Sequence, residues 1–417
     1  MSSSKYIGMI IGIIIVVLII AVAINYIGAP NSTASANTSK PQNTTAIQNN
    51  GYSNTSVNTT STKNMSVLYV SASGSDANSG NSSAPLNTIN RAIELAKPGE
   101  AIFVEPGVYN EQVNITSNVA LIGVNPNTTI INASGKMNGI NIIGTGANGT
   151  IIEGITVENA DNHGIYVQDA GNVEIINNIV EHNGLNATVC PQPPAKPTGP
   201  CIIDDKALEL VGTHNVTVAN NIVTNNLADG GIAVVDLGAL NPGSLTPTHI
   251  IANATDNLII NNKVLYNKGG CGIIISSKNM GTMDNIVVNN TVEFNPAGII
   301  VGAGAPNSNT LNNKVINNTV FNNFLPGIIV HSAAPGATIS NTIIMFNKVG
   351  ENGNFIAVGA LNKTGILVSG DVMPVSNTII QNNNVSNEYY GIWLRNAPNA
   401  KLLNNTVANV IIANYTK

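Results

Sequence analysis

Only 9% of this 417-residue chain is charged, so the places where ionisable side chains gather are informative. One runs from Glu158 to Asp236 and holds Asp161, His163, Asp169, Glu181, His182, Asp204, Asp205, Lys206, Glu209, His214, Asp229 and Asp236. Two carboxylates facing each other suit an acid and base pair, and their separation decides the stereochemical outcome. Asp161, His163, Asp204, Asp205, Lys206 and Asp229 are therefore the candidate catalytic residues, and Tyr166, Glu209, Asp236 and Trp393 the candidate ligand contacts. The competing reading leaves them as solvated loop and corner residues.

The elements that must position these residues come from a repeat. The phrase Asn-Asn-x-Val recurs at Asn177-Asn178-Ile179-Val180, Asn220-Asn221-Ile222-Val223, Asn261-Asn262-Lys263-Val264 and Asn289-Asn290-Thr291-Val292. It returns at Asn317-Asn318-Thr319-Val320 and Asn404-Asn405-Thr406-Val407, and about one residue in six is Asn. Between the copies stands Gly-Ile-x-Val, as in Gly164-Ile165-Tyr166-Val167, Gly231-Ile232-Ala233-Val234 and Gly298-Ile299-Ile300-Val301. A period of roughly 22 to 29 residues built from short β-branched runs marks a solenoid of stacked coils. Gly and Asn at the corners tolerate left-handed backbone angles that β-branched residues do not. Parallel strands then stack about 4.8 Å apart, with the right-handed crossover usual for parallel connections. Asn183, Asn226, Asn267, Asn295, Asn323 and Asn352 each lie three positions after a ladder Val or its equivalent. Their amides are expected to bond along the axis as a structural ladder.

On the Gly-Ile-x-Val strands, Tyr166, Glu209 and Ala233 face outward. Further on the same position carries Ile274, Ile300, Ile329, Leu367 and Trp393, an apolar stripe suited to self-association, ligand contact or a covering of loops. Trp393 with Tyr389 and Tyr390 offers rings for sugar stacking. Cys190 and Cys201 bracket a Pro-rich insertion, and a disulfide closing it fits an oxidising exterior. The loops holding 190–201 and 241–251 are expected to wall a groove. The net charge of -5 gives no basic footprint, which excludes nucleic acid as an expected partner. Five dispersed His argue against a copper site.

Tyr6 to Ile27 is an unbroken apolar stretch long enough to cross a bilayer as a helix. The expected organisation is a cytoplasmic tip (1–5), a transmembrane anchor (6–28), a Ser/Thr/Asn-rich linker (29–65) and a β-helix (66–417). Lys5 precedes the span and no basic residue follows until Lys40, which sends the rest of the chain outside; a cleaved signal peptide is the alternative. Sequons in the linker and the repeats, among them Asn31, Asn215, Asn289 and Asn317, make glycosylation an expectation there.

At the entry to the repeats, Leu68 to Glu111 reads LYVSASGSDANSGNSSAPLNTINRAIELAKPGEAIFVEPGVYNE. Pro85 to Ala96 has Ile89, Ala92, Ile93 and Ala96 on one face, so a helix over about 85–97 is predicted to plug the open end of the stack. This segment resembles the pectate-lyase-like superfamily of right-handed parallel β-helices, through Gly74-Ser75-Asp76, Pro85-Leu86-x-Thr88-Ile89 and Pro106-Gly107-Val108-Tyr109-x-Glu111. The resemblance covers about residues 67–417 and implies an all-β, single-stranded right-handed parallel β-helix. It is specific for fold and weak for chemistry, since the superfamily spans lyases, hydrolases and adhesins. Ile203-Asp204-Asp205-Lys206 looks like the Asp-Asp motif of polygalacturonase-type hydrolases, but that family's Gly-His-Gly and Arg-Ile-Lys have no counterpart. Lyases of this fold use Lys or Arg as base; Lys206 is the candidate here. No cofactor is required by this reading, Ca²⁺ remaining an option through the lyase resemblance. The expectation is a membrane-anchored extracellular β-helix protein that binds polysaccharide, with a lyase or hydrolase and a non-catalytic adhesin as the alternatives.

Overall fold

The computed structural model describes residues 67–185, 206–227, 230–236, 252–278, 280–353 and 363–416. They fall in one unit, Thr62–Lys417, separate from Met1–Ser61. The expected anchor (6–28) and linker (29–65), together with Asp204, Asp205, Asp229, Cys190 and Cys201, lie outside the described residues. No described helix is long and apolar enough to cross a membrane.

The described chain winds as a right-handed parallel β-helix. Sheet I has 12 strands, from Val67–Val70 to Lys401–Leu403; sheet II has 11, from Gly107–Tyr109 to Thr406–Ala408. Sheet III has 11, from Val113–Ile115 to Ile412–Thr416, and a short sheet IV has five, from Ala254–Thr255 to Val375–Ser376. Each full coil visits them in the order I, II, III, IV. In one coil these strands are Leu258–Ile260, Lys263–Leu265, Cys271–Ser277 and Gly281–Met283. All pairings between coils are parallel and in register, for example Val264 on Val292 and Ile273 on Ile299.

The Asn-Asn dipeptide is a corner device whose two residues do different work. The first takes a left-handed conformation, as at Asn261 (φ 57°) and Asn289 (φ 59°), and stays exposed. The second turns inward and is about 1% exposed, as at Asn262 and Asn290. Gly-Ile-x-Val is explained by close approach: a Cβ on Gly272 would stand 2.4 Å from Val292 Cγ1.

The ladder from Asn183 to Asn352 is continuous. Each Nδ2 donates to the Oδ1 one coil on, at 3.1, 2.9, 3.0, 3.3 and 2.9 Å. A second ladder runs at the sheet I–II corner through Asn178, Asn221, Asn262, Asn290, Asn318, Asn347, Asn383 and Asn405. A third joins Asn257, Asn285 and Asn313. Sequence spacing found only the first, because the other two begin at different offsets from the same Val.

Glu388 ends the first ladder where the pattern calls for Asn. Its Oε1 accepts from Asn352 N (2.9 Å) and Nδ2 (3.1 Å), while its Oε2 is buried with no partner among the described residues. Burial pushes this carboxyl up to about 7 against the opposing bonds from Asn352. A folded pKa above the unfolded value means that the acid is favoured in the fold, so stability falls as pH rises from about 4.5 through 7. The full effect is about 3 kcal/mol. Glu388→Gln, neutral at every pH, is expected to flatten the decline in melting temperature between pH 5 and pH 8; an unchanged decline would count against this assignment.

The cap helix, α1, runs Ile89–Leu95, shorter than expected because the residues before it are spent on capping. Thr88 Oγ1 accepts from Arg91 N (3.2 Å), and the Glu111 carboxylate accepts from Ile89 N (2.8 Å) and Asn90 N (3.0 Å). Asp76 accepts from Thr88 N and Asn87 N. Burial raises the Asp76 carboxyl, but these bonds together hold it below its ordinary value. The Gly-Ser-Asp and Tyr-x-Glu phrases of the entry segment are thus a helix N-terminus built from distant carboxylates.

Candidate functional site

Outward positions of sheet III form two columns along the axis. The first runs Asn141, Tyr166, Glu209, Ala233, Ile274, Ile300, Ile329, Leu367 and Trp393. The second runs Gln168, Val211, Val235, Ser276, Gly302, His331, Ser369 and Arg395. Two strands, Ile165–Gln168 and Leu208–Val211, therefore place Tyr166 beside Glu209, with His163 and Lys206 just ahead of them.

His163 Nδ1 lies 2.8 Å from Lys206 O and 3.5 Å from Glu209 Oε2. Nδ1 thus faces a backbone carbonyl and a carboxylate together. The His163 and Tyr166 rings are 4.9 Å apart, and Tyr166 Oη donates to Gln168 Oε1 at 2.8 Å. Burial, then the Glu209 charge, pushes the Tyr166 phenol up, so it holds its proton at neutral pH. The Lys206 stem passes Gly230, where a Cβ would stand 3.1 Å from its Cδ. His163, Tyr166, Lys206 and Glu209 are 3%, 2%, 5% and 5% exposed, although they point away from the core. Ionisable groups desolvated together on an outer face are costly to stability and characteristic of functional sites.

Of the other candidates, Asp161 is partly exposed and its backbone N–H donates to Lys136 O (2.8 Å). Asp236 is wholly buried and accepts from Lys278 N (2.6 Å) and Met280 N, which ties the chain leaving one coil to the turn of the next. Trp393 is 6% exposed with the Tyr390 ring 4.8 Å away, so its face is taken by protein. The apolar stripe likewise is no free surface. Ile300, Ile329 and Leu367 are 8%, 7% and 4% exposed and pack with Trp393, Ala297, Cys271 and Leu325 into one cluster. Among the described residues no group of three His, Cys, Asp or Glu is placed to hold a metal ion.

Sequence reasoning missed a second polar cluster in the second column. Asp371 accepts from Ser369 Oγ (2.7 Å) and from Arg395 Nη2, and His331 Nδ1 is 3.9 Å from its Oδ2. Burial lowers the His331 imidazole against the opposing charge of Asp371. The available signal was that Arg395 is the sole Arg beyond the cap helix.

A family model described as "Protein of unknown function (DUF1565)" matches residues 72–308. A search of the curated proteins finds no match. Among solved structures, the A-module of the mannuronan C-5 epimerase AlgE4 of Azotobacter vinelandii aligns with a TM-score of 0.53 and 16% identity, covering 76% of this chain and 89% of its own. PfbA, a surface adhesin of Streptococcus pneumoniae, gives 0.51 and 14%, covering 77% and 85%. Pectate lyase Pel9A gives 0.50 and 14%, covering 75% and 78%. These similarities are of fold.

Proposed function

Because the chain belongs to the DUF1565 family, whose description assigns no activity, we propose its role from the site: it binds acidic polysaccharide and transfers the proton α to a uronate carboxylate. The observation that supports this most is the desolvated set of imidazole, phenol, ammonium and carboxylate on two adjacent coils of sheet III. The Lys206 ammonium neutralises the uronate carboxylate, which makes the C-5 proton acidic. His163 takes that proton, and Glu209, 3.5 Å from its Nδ1, stabilises the imidazolium that results. Tyr166 Oη supplies a proton. Delivered to C-5 from the opposite face it inverts the centre; delivered to the departing 4-oxygen, as the C4–O bond breaks, it leaves a C4–C5 double bond. A mannuronan epimerase and a pectate lyase stand among the proteins of similar fold, which is consistent with either outcome.

The test is incubation of the full chain with alginate, polygalacturonate and a neutral glucan. Ultraviolet absorbance reads unsaturated ends and proton NMR reads inversion at C-5. Turnover of the neutral glucan alone, or of none of the three, would count against the proposal. The near-complete burial of the set favours a second reading, a non-catalytic polysaccharide-binding surface protein, which the similarity to an adhesin also suits. Binding without turnover would select it. The same proposal holds the domain outside the cell on residues 6–28. Protease treatment of intact cells is expected to release it, and protection from protease would place it inside.

A further inference from the structure

Sheet II carries a second feature, on a different sheet from the site just described and on the coils that follow it. Left-handed corners in this chain are mostly Asn, including Asn225, Asn322, Asn387 and Asn409 at the sheet II–III corner. Tyr266 (φ 56°) and Phe294 (φ 58°) occupy the same corner, and Phe346 (φ 58°) the sheet I–II corner. A bulky residue in this conformation costs roughly 1–2 kcal/mol. Nor does burial repay it, since Tyr266, Phe294 and Phe346 are 49%, 37% and 50% exposed. Strain kept where neither packing nor backbone favours the residue points to function.

The rings also cluster. Phe294, Phe321, Phe324 and Phe346 are four of only six Phe in the chain, and all fall on or beside the outer face of sheet II. Tyr266 and Phe294 stack with centroids 4.7 Å apart and planes 2° apart, and both rings stay open to solvent in part. Phe321 lies over Gly350, where a Cβ would stand 2.8 Å from its Cε1. Between the rings the face is polar: Lys263, Thr291, Thr319 and Lys348 stack in register on four adjacent coils, a span of about 15 Å. Lys263, Lys268 and Lys348 are exposed. Glu293, between Leu265 and Phe321 in register, has its carboxyl pushed up by burial. The face thus sets two exposed Lys, Lys263 and Lys348, at its two ends with Glu293 between them.

We propose that the outer face of sheet II, from Lys263 to Gly350, is a separate binding face for acidic polysaccharide. The exposed parts of Tyr266, Phe294, Phe324 and Phe346 take the C–H surfaces of the sugar rings, and Lys263 and Lys348 pair with uronate carboxylates. This rests on the reading of the ligand given above and adds a place where the polymer is held apart from the chemistry.

Asn159, Asn225, Asn322, Asn387 and Asn409 stand at this corner in other coils, beside His182 and Glu351, so the double variant Tyr266→Asn/Phe294→Asn is expected to fold. Binding of sodium alginate and polygalacturonate to the full chain, by isothermal titration, is expected to weaken at least tenfold in this variant and in Lys263→Ala/Lys348→Ala. The melting temperature of the Asn double variant is expected to stay level or rise, since strain is relieved. Turnover of short oligouronides is expected to be unchanged. Unaltered affinity for both polymers overturns the proposal, as does equal binding of dextran. Binding of anionic phospholipid vesicles in place of polymer, or a dimer in light scattering that the Asn variant disperses, assigns the face to lipid or to a second copy and overturns it too. If affinity falls as expected but no substrate is turned over by the parent protein, the binding face stands and the catalytic proposal fails. Turnover of oligouronides with polymer affinity indifferent to both double variants gives the reverse.

Discussion

His163→Ala is expected to lower kcat on a uronate polymer by about 10²–10⁴-fold, the range for a lost general base, with the fold intact. The position of His163 supports this: Nδ1 is 2.8 Å from the Lys206 carbonyl and 3.5 Å from the Glu209 carboxylate, which hold the ring between the two coils. Glu209 acts through His163 and is a positioning residue. Glu209→Gln removes a charge that stabilises the imidazolium, so the acid limb of kcat/KM is expected to move to lower pH as the rate falls. Its melting temperature is expected to stay level or rise, because a buried carboxylate is replaced by a neutral amide. Lost activity with retained or gained stability is the pattern of a functional group. A loss of stability with no shift of the pH limb would make the His163–Glu209 contact a structural tie.

Asn290→Ala is expected to cost roughly 3 to 5 kcal/mol, the largest stability effect anticipated for a single substitution in the repeats. Asn290 Oδ1 accepts from Asn262 N (2.9 Å) and Nδ2 (3.0 Å), and its Nδ2 donates to Ile259 O (2.9 Å) and Val288 O (3.0 Å). Truncation strands two donors in a closed interior and takes one bond each from Ile259 O and from Val288 O, which keeps Asn261 N at 3.2 Å; each unpaired group costs about 1–3 kcal/mol. Asn289→Ala, one residue earlier, removes an exposed side chain from a left-handed position and is expected to cost about 1 kcal/mol. Urea denaturation of the two variants checks the contrast; equal losses would show that the corner, not the ladder, carries the stability.

The fold was legible because its signals are local and repeated. Asn-Asn-x-Val encodes a left-handed corner, an inward amide and a core Val in four residues, and recurrence supplies the stacking direction without long-range information. The cap helix was legible for the same reason, though its start was set by Asp76 and Glu111, which reach it from 12 and 22 residues away in sequence. The site was legible only in part. Aligning Gly-Ile-x-Val put Tyr166 next to Glu209 correctly, because register follows from the repeat. Whether an outward side chain meets water does not follow from it, since that depends on what else of the chain lies over the sheet. Hence Trp393, expected as a ring for sugar stacking, is covered, the Ile300–Leu367 stripe takes the covered one of the outcomes the sequence left open, and Asp236 serves the backbone of the next turn.

The sequence by itself determined the coil, its corners, the facing of every strand residue and the scarcity of charge that makes the sheet III cluster conspicuous. Those follow from backbone angles and a two-residue side-chain period, which act over a few positions. Only the tertiary structure decided that His163 meets Glu209, that Glu388 closes a ladder of amides, and that four Phe scattered over 53 positions, Phe294 to Phe346, gather on or beside one face. Such meetings depend on insertions that change coil length without changing register, and on which outer faces end up buried, and neither is written in any one repeat.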